Sequence, residues 1–189
     1  LAAICRSRKV RMIHISTDCV FDGSKGNYKE EDFSDAKDLY GRSKFLGEVS
    51  GKGCLTLRTS LIGHELKNKI GLIEWFMVQQ GKIKGYTHAV FSGFPTVEMA
   101  HILGRYILPN DDMEGVYHVS SSPVSKYDLL KLVAETYGKK IVIEPYNEVR
   151  IDRSLDSERF RKVTGYDPPH WAELVERMHR HYVDSSCYA

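Results

Sequence analysis

The chain has 189 residues, 42% of them hydrophobic and 28% charged, with a net charge of +2. That is the size of one domain, or of a small domain plus part of another, with an ordinary globular composition. The basic residues are spread along the chain, which excludes a nucleic-acid or polybasic membrane footprint, and no apolar run approaches the roughly 20 residues of a bilayer span. There is no signal-peptide pattern. Cys5, Cys19, Cys54 and Cys187 form no C-x-x-C pair, so they read as reduced thiols of a cytoplasmic protein rather than a disulfide framework. His179 and His181 fall on different faces of a helix, and no metal site is expected.

The first residues, 1–6, read like the last turns of a helix already under way, and the chain is expected to be a piece of something longer. Residues 10–15 are a short apolar run, consistent with a buried strand that ends in Ser16-Thr17-Asp18. His14 within it reads as a packed core residue. Residues 21–27 carry turn chemistry and 29–32 a charged loop. Residues 35–48 predict a helix, capped by Ser34 or Asp35 and ended by Gly51 and Gly53. Residues 54–59 read as a second buried strand. Strand, helix and strand make a βαβ unit with parallel strands and a right-handed crossover. Ligands of open parallel sheets bind beyond the carboxyl ends of the strands, here Ser16–Asp18 and Thr59-Ser60.

In the second half, residues 71–80 predict an amphipathic helix and 81–85 a turn-rich connection. Phe94-Pro95-Thr96 introduces a helix through about Leu108, capped by Thr96, whose apolar residues read as core. Residues 115–119 form a short strand. Ser125-Lys-Tyr-Asp128 resembles a capping box, opening a helix that Gly138 stops. Residues 140–144 are a short strand, and Ser154 caps a helix ending at Gly165. After Pro168-Pro169, a final helix carries Trp171, Leu174, Val175, Met178 and Tyr182 as a core stripe.

Tyr40 and Lys44 lie four apart, one turn above the other on a helix face. A phenol beside a fixed ammonium is an acid–base pair, because the positive charge favours phenolate. A bare Y-x-x-x-K more often marks a packed ring and a solvated lysine. The hydroxyls of Ser16, Thr17, Thr59 and Ser60 at the neighbouring strand ends point instead to carbonyl reduction. A cofactor must then supply the hydride, and Thr17 and Tyr40 would stabilise the charge developing on the carbonyl oxygen.

Ser16-Thr-Asp-Cys-Val-Phe-Asp-Gly23, followed by Tyr40-Gly-Arg-Ser-Lys44-Phe-Leu-Gly-Glu48, resembles the extended short-chain dehydrogenase/reductases. Within them it resembles the dTDP-4-dehydrorhamnose reductase branch, usually written STDYVFDG…YGRSK…GE. Leu57-Arg-Thr-Ser60 and Gly93-Phe-Pro-Thr96 match two further segments of that branch. The resemblance implies an α/β fold: the C-terminal part of an NAD(P)-binding Rossmann fold, with a parallel βαβ sheet, over residues 1–62, plus a small α+β substrate region over 63–189. The latter is expected to be mostly helical with short strands, partly interleaved with the first. The resemblance also implies Thr17, Tyr40 and Lys44 as the catalytic triad, and Ser16, Tyr40, Lys44 and Thr59 as cofactor-binding residues. Thr17, Asp18, Cys19 and Ser60 are implied beside the sugar substrate. Cys19 stands where the family usually has a tyrosine lining the sugar pocket, which leaves the sugar's identity open.

The implied activity is reduction of the 4-keto group of a nucleotide-linked deoxysugar by NADP or NAD, in a homodimer with neither nucleic acid nor membrane as partner. A nucleotide-sugar epimerase or dehydratase is the alternative within the fold. A regulatory subunit, like the β subunit of methionine adenosyltransferase, is the alternative outside enzymes. The family's glycine-rich G-x-x-G-x-x-G cradle for the cofactor pyrophosphate does not occur here. Roughly 100 residues of dinucleotide fold are expected ahead of Leu1, and this segment alone is expected to be inactive.

Overall fold

The computed structural model describes residues 1–188. Helix α1 (Ala2–Ser7) leads into strand β1 (Met12–Thr17), which ends in one 3-10 turn, Asp18–Val20. Helix α2 (Leu39–Leu46) then crosses to strand β2 (Cys54–Thr59). The two strands pair in parallel, from Met12 opposite Cys54 to Thr17 opposite Thr59, so both hydroxyl-bearing ends finish side by side. All six residues of β2 are buried, whereas Met12–Ile15 of β1 are only half-buried. The helix starts later than its pattern suggests. Asp38 is the cap, its carboxylate accepting from the Gly41 amide at 2.8 Å. Asp35 is engaged by the Asp22 amide and Ser34 by Arg58, so neither is free to cap. Gly47 closes α2. Gly51 and Gly53, at φ of 95° and 73°, belong to the turn into β2 instead of ending the helix.

The second half runs through β3 (Leu61–Ile62), α3 (Leu72–Val78), β4 (Lys82–Phe91), β5 (Phe94–Pro95) and α4 (Thr96–Ile102), which continues as a π-helical turn over Leu103–Ile107. There follow β6 (Gly115–His118), β7 (Val124–Ser125), α5 (Lys126–Thr136), β8 (Val142–Asp152), α6 (Glu158–Thr164) and α7 (Trp171–Asp184). Strand β6 adds in parallel to β2, giving the order β1-β2-β6. A second sheet has the order β7-β4-β8, and β3 pairs with β5.

This second sheet has longer strands than the short ones expected for this region. The segment read as a turn-rich connection is a ten-residue strand, and the short strand after Gly138 is an eleven-residue one. They pair in parallel from Lys82–Val142 to Val90–Asp152, with a bulge between Tyr86 and His88. Strand formation here comes from a partner distant in sequence, which local periodicity does not carry. Two caps also move. Thr96 is the first residue of α4 and does not cap it, and α6 is capped at Ser157, not Ser154. Ser154 accepts from the Asn27 amide instead. Ser125 caps α5 through the Asp128 amide, and Gly165 ends α6 at φ 69°.

One apolar core joins the halves. Leu55 and Leu57 of β2 pack with Phe76 of α3, Ile102 of α4, Leu129 of α5 and Leu174 of α7. On α7 the stripe Trp171, Leu174, Val175 and Met178 is buried, but Tyr182 is half-exposed and stacks on His64. His14 is half-buried, and its Nε2 has no hydrogen-bond partner among the described residues. All four cysteines are free thiols, and no described helix is long and apolar enough to cross a membrane.

Candidate active site

Gly41 is what lets α2 rest on the end of β1. A Cβ at that position would lie 2.1 Å from the Cys19 carbonyl oxygen, a distance that no side chain tolerates. With glycine there, the first turn of the helix sits on the 3-10 turn. One turn later the Lys44 ammonium donates to the Ile15 carbonyl at 2.8 Å, tying the helix to β1. Tyr40 lies on the outer side of that first turn with 57% of its surface exposed.

Thr17 is buried; its hydroxyl accepts from the Cys19 amide at 3.1 Å and donates to the Asp18 carboxylate at 3.1 Å. Burial pushes the Asp18 carboxyl up, against hydrogen bonds from Cys19 and Thr17 and the charge of Arg153 that pull it down. The Cys19 thiol is also pushed up, by burial and then by Asp18. Thr17, Asp18, Cys19, Tyr40 and Lys44 are thus gathered where α2 meets the end of β1. Thr59 is buried beside Thr17 across the register, and the Ser60 carbonyl accepts from the Phe94 amide at 2.8 Å. Gly93 serves that crossing, since a Cβ there would lie 1.9 Å from the Ser60 oxygen. The Ser16 hydroxyl donates to Glu48, just beyond α2, at 2.7 Å.

That carboxylate opens a buried network which the motif reading did not include. Glu48 accepts from Arg58 Nε and Nη2, both at 2.8 Å, with side chains 8% and 5% exposed. Arg58 Nη1 lies 3.4 Å from His118 Nε2, and His118 Nδ1 lies 3.0 Å from the Tyr28 carbonyl. A carbonyl can only accept, so Nδ1 carries the proton and Nε2 accepts from Arg58. Burial, then the Arg58 charge, lowers the His118 pKa to about 4, which agrees with a neutral ring. The signal for this network was an arginine inside the otherwise apolar run 54–59, because a buried guanidinium needs a carboxylate.

The loop after β1 is laced to the end of β8. Gly23 and Gly26 have φ of 89° and 71°, and a Cβ on either would meet Ile151 or the Asp152 carboxylate at 2.5 and 2.4 Å. The Asp152 amide donates to the Gly23 carbonyl, and the Tyr28 amide to the Ser154 carbonyl, both at 2.8 Å. Between these ties, Arg153 donates from Nε to the Phe21 carbonyl at 2.8 Å, and its Nη1 lies 3.6 Å from Cys19 Sγ. Arg153 therefore joins the same strand end from 134 positions away, and nothing local in the sequence announces it.

The residues present fit one end of a nicotinamide dinucleotide. Lys44 has N–H donors beyond the one given to Ile15, and the exposed Tyr40 phenol lies on the preceding turn; ribose hydroxyls match that donor set. The pyrophosphate end has no G-x-x-G-x-x-G among these residues. Among the described residues, no cluster of His, Cys, Asp or Glu could hold a metal ion.

Comparison with known proteins agrees with this architecture. The spore coat polysaccharide biosynthesis protein SpsK of Bacillus subtilis is 31% identical over 178 residues, covering 86% of this chain and 62% of SpsK. The probable low-salt glycan biosynthesis reductase Agl14 of Haloferax volcanii is 51% identical over 150 residues, covering 73% of this chain and 49% of the relative. The crystal structure of dTDP-4-dehydrorhamnose reductase from Bacillus anthracis, in complex with NADP, superposes with a TM-score of 0.78 at 21% identity, covering 92% of this chain and 66% of that one. The chain thus spans about three-fifths of SpsK, and the structural likeness establishes a Rossmann-like α/β fold. The RmlD substrate binding domain family matches residues 1–183, and the chain belongs to that family.

Proposed function

We propose that these residues are the proton-donating and sugar-holding part of an NAD(P)-dependent reductase acting on the 4-keto group of a nucleotide-linked deoxysugar. The observation that supports this reading is the seating of α2 on the end of β1 through Gly41, with Lys44 anchored on the Ile15 carbonyl. When bound, the dinucleotide supplies the hydride that becomes the new C–H bond. Tyr40 donates its phenolic proton to the ketone oxygen, so carbonyl plus hydride plus proton gives the alcohol. The Lys44 ammonium, held from moving by Ile15, stabilises the phenolate left behind. Tyr40 is exposed enough to take a proton back from water. Thr17 swings its hydroxyl from Asp18 to the developing oxyanion. Cys19, Thr59 and Ser60 shape the space at the strand ends. Ser16 holds α2 through Glu48.

In a protein that joins these residues to a glycine-rich dinucleotide-binding segment, NADPH oxidation should depend on dTDP-4-keto-6-deoxyglucose. Tyr40→Phe should lower kcat by about 100-fold or more with an unchanged Tm. Undiminished turnover by Tyr40→Phe would sink the reading. The 189-residue chain alone is expected to bind NADPH weakly, which a tight stoichiometric titration would contradict.

A further inference from the structure

We infer that Arg153 is an oxyanion-binding residue of the substrate pocket, an inference that rests on the reductase reading. Its guanidinium comes from the end of β8 to the end of β1, alongside Cys19. The Arg153 charge acts on Asp18, Cys19 and Asp38, the cap of α2.

The fork is oriented but not used. Nε is fixed on the Phe21 carbonyl, Nη1 has only the long contact to sulfur, and Nη2 has no partner among the described residues. No described carboxylate is in direct contact with it. Asp152, next in sequence, accepts from the Ser154 amide, and Asp18 accepts from the Thr17 hydroxyl. A guanidinium pinned through Nε presents its remaining N–H groups to one ligand, in the geometry that matches phosphate or carboxylate oxygens. A nucleotide sugar offers oxyanions of two kinds: its diphosphate, or a carboxylate on the sugar ring.

The test is calorimetric titration of the 189-residue chain with dTDP, dTDP-glucose and UDP-glucuronate, comparing the unaltered chain with Arg153→Met and Arg153→Lys. A loss of roughly tenfold or more in affinity is expected for Arg153→Met, partly restored in Arg153→Lys. Loss for dTDP and dTDP-glucose alike assigns the phosphate; loss confined to UDP-glucuronate assigns the carboxylate. If Arg153→Met fails to fold, Arg153→Lys decides: weakened binding at an unchanged Tm supports the inference, and unchanged binding overturns it. Equal binding of all three probes by a folded Arg153→Met overturns it, as does absence of binding by the unaltered chain. The Tyr40→Phe hydride assay tests the reductase reading separately, so the two can fail independently.

Discussion

Arg58 of β2 grips the Glu48 carboxylate through two hydrogen bonds, and Ser16 of β1 donates to the same carboxylate. One buried acid just beyond α2 thereby holds that helix to both strands of the βαβ unit. Tyr40 and Lys44 ride on the helix, so their position over the strand ends depends on a pair that touches neither of them.

Breaking this pair from one side should be far more damaging than removing it whole. Glu48→Met leaves a buried guanidinium without its counter-charge, and Arg58→Met leaves a buried carboxylate. Each should cost about 3–5 kcal/mol of unfolding free energy. The double variant Glu48→Met/Arg58→Met should cost clearly less than the sum, because no charge is left behind. Urea denaturation of the four chains reads this directly, and strict additivity would show that the two side chains do not act as a pair.

His118 makes stability depend on mildly acidic pH. Its pKa falls from 6.5 to about 4 on folding, through burial first and the Arg58 charge second. Above pH 6.5 the ring is neutral in both states and the fold pays no penalty. Between 6.5 and about 4 the unfolded chain binds a proton that the folded chain refuses, so stability falls as pH falls. The loss across that window is roughly 3 kcal/mol. Denaturation midpoints measured at several pH values should drop across it, and His118→Gln should flatten the drop.

Much of the candidate site was legible because its parts are local. The hydroxyls of Thr17 and Thr59 end apolar runs, and Tyr40 and Lys44 follow turn spacing. The parallel βαβ unit follows from strand, helix and strand in order. What escaped was set by pairings between distant segments. β4 and β8 become strands on each other, some 60 positions apart, and Arg153 reaches Cys19 only because β8 ends beside the loop after β1. The cap of α2 escaped for a nearer reason: Ser34 and Asp35 are good caps in isolation, but tertiary contacts with Arg58 and Asp22 use their side chains first.

Gly41 should admit no side chain without moving the helix. A methyl group there would sit 2.1 Å from the Cys19 carbonyl oxygen, which is backbone and cannot swing away. Gly41→Ala should therefore lose about 1–3 kcal/mol to overpacking, although alanine favours helix over glycine elsewhere. It should also depress turnover in an active protein by displacing Tyr40. A Gly41→Ala chain as stable as the unaltered one would show that the contact is not tight.

Lys44 and His14 give a test of the helix position that needs no turnover. The His14 imidazole pKa is lowered by burial first and by the Lys44 ammonium second, with Glu48 opposing. The cation disfavours a second positive charge, so Lys44→Met should let the His14 pKa rise, while Lys44→Arg should keep it low. Removing the ammonium also frees the Ile15 carbonyl, to which it donates, so the Ile15–Ser16 amide signals should shift in the same variant. Proton NMR titration of the His14 ring across neutral pH checks the direction. A His14 titration identical in the unaltered chain and in Lys44→Met would mean that the Lys44 ammonium does not lie over β1, and the seating of α2 would have to be redrawn.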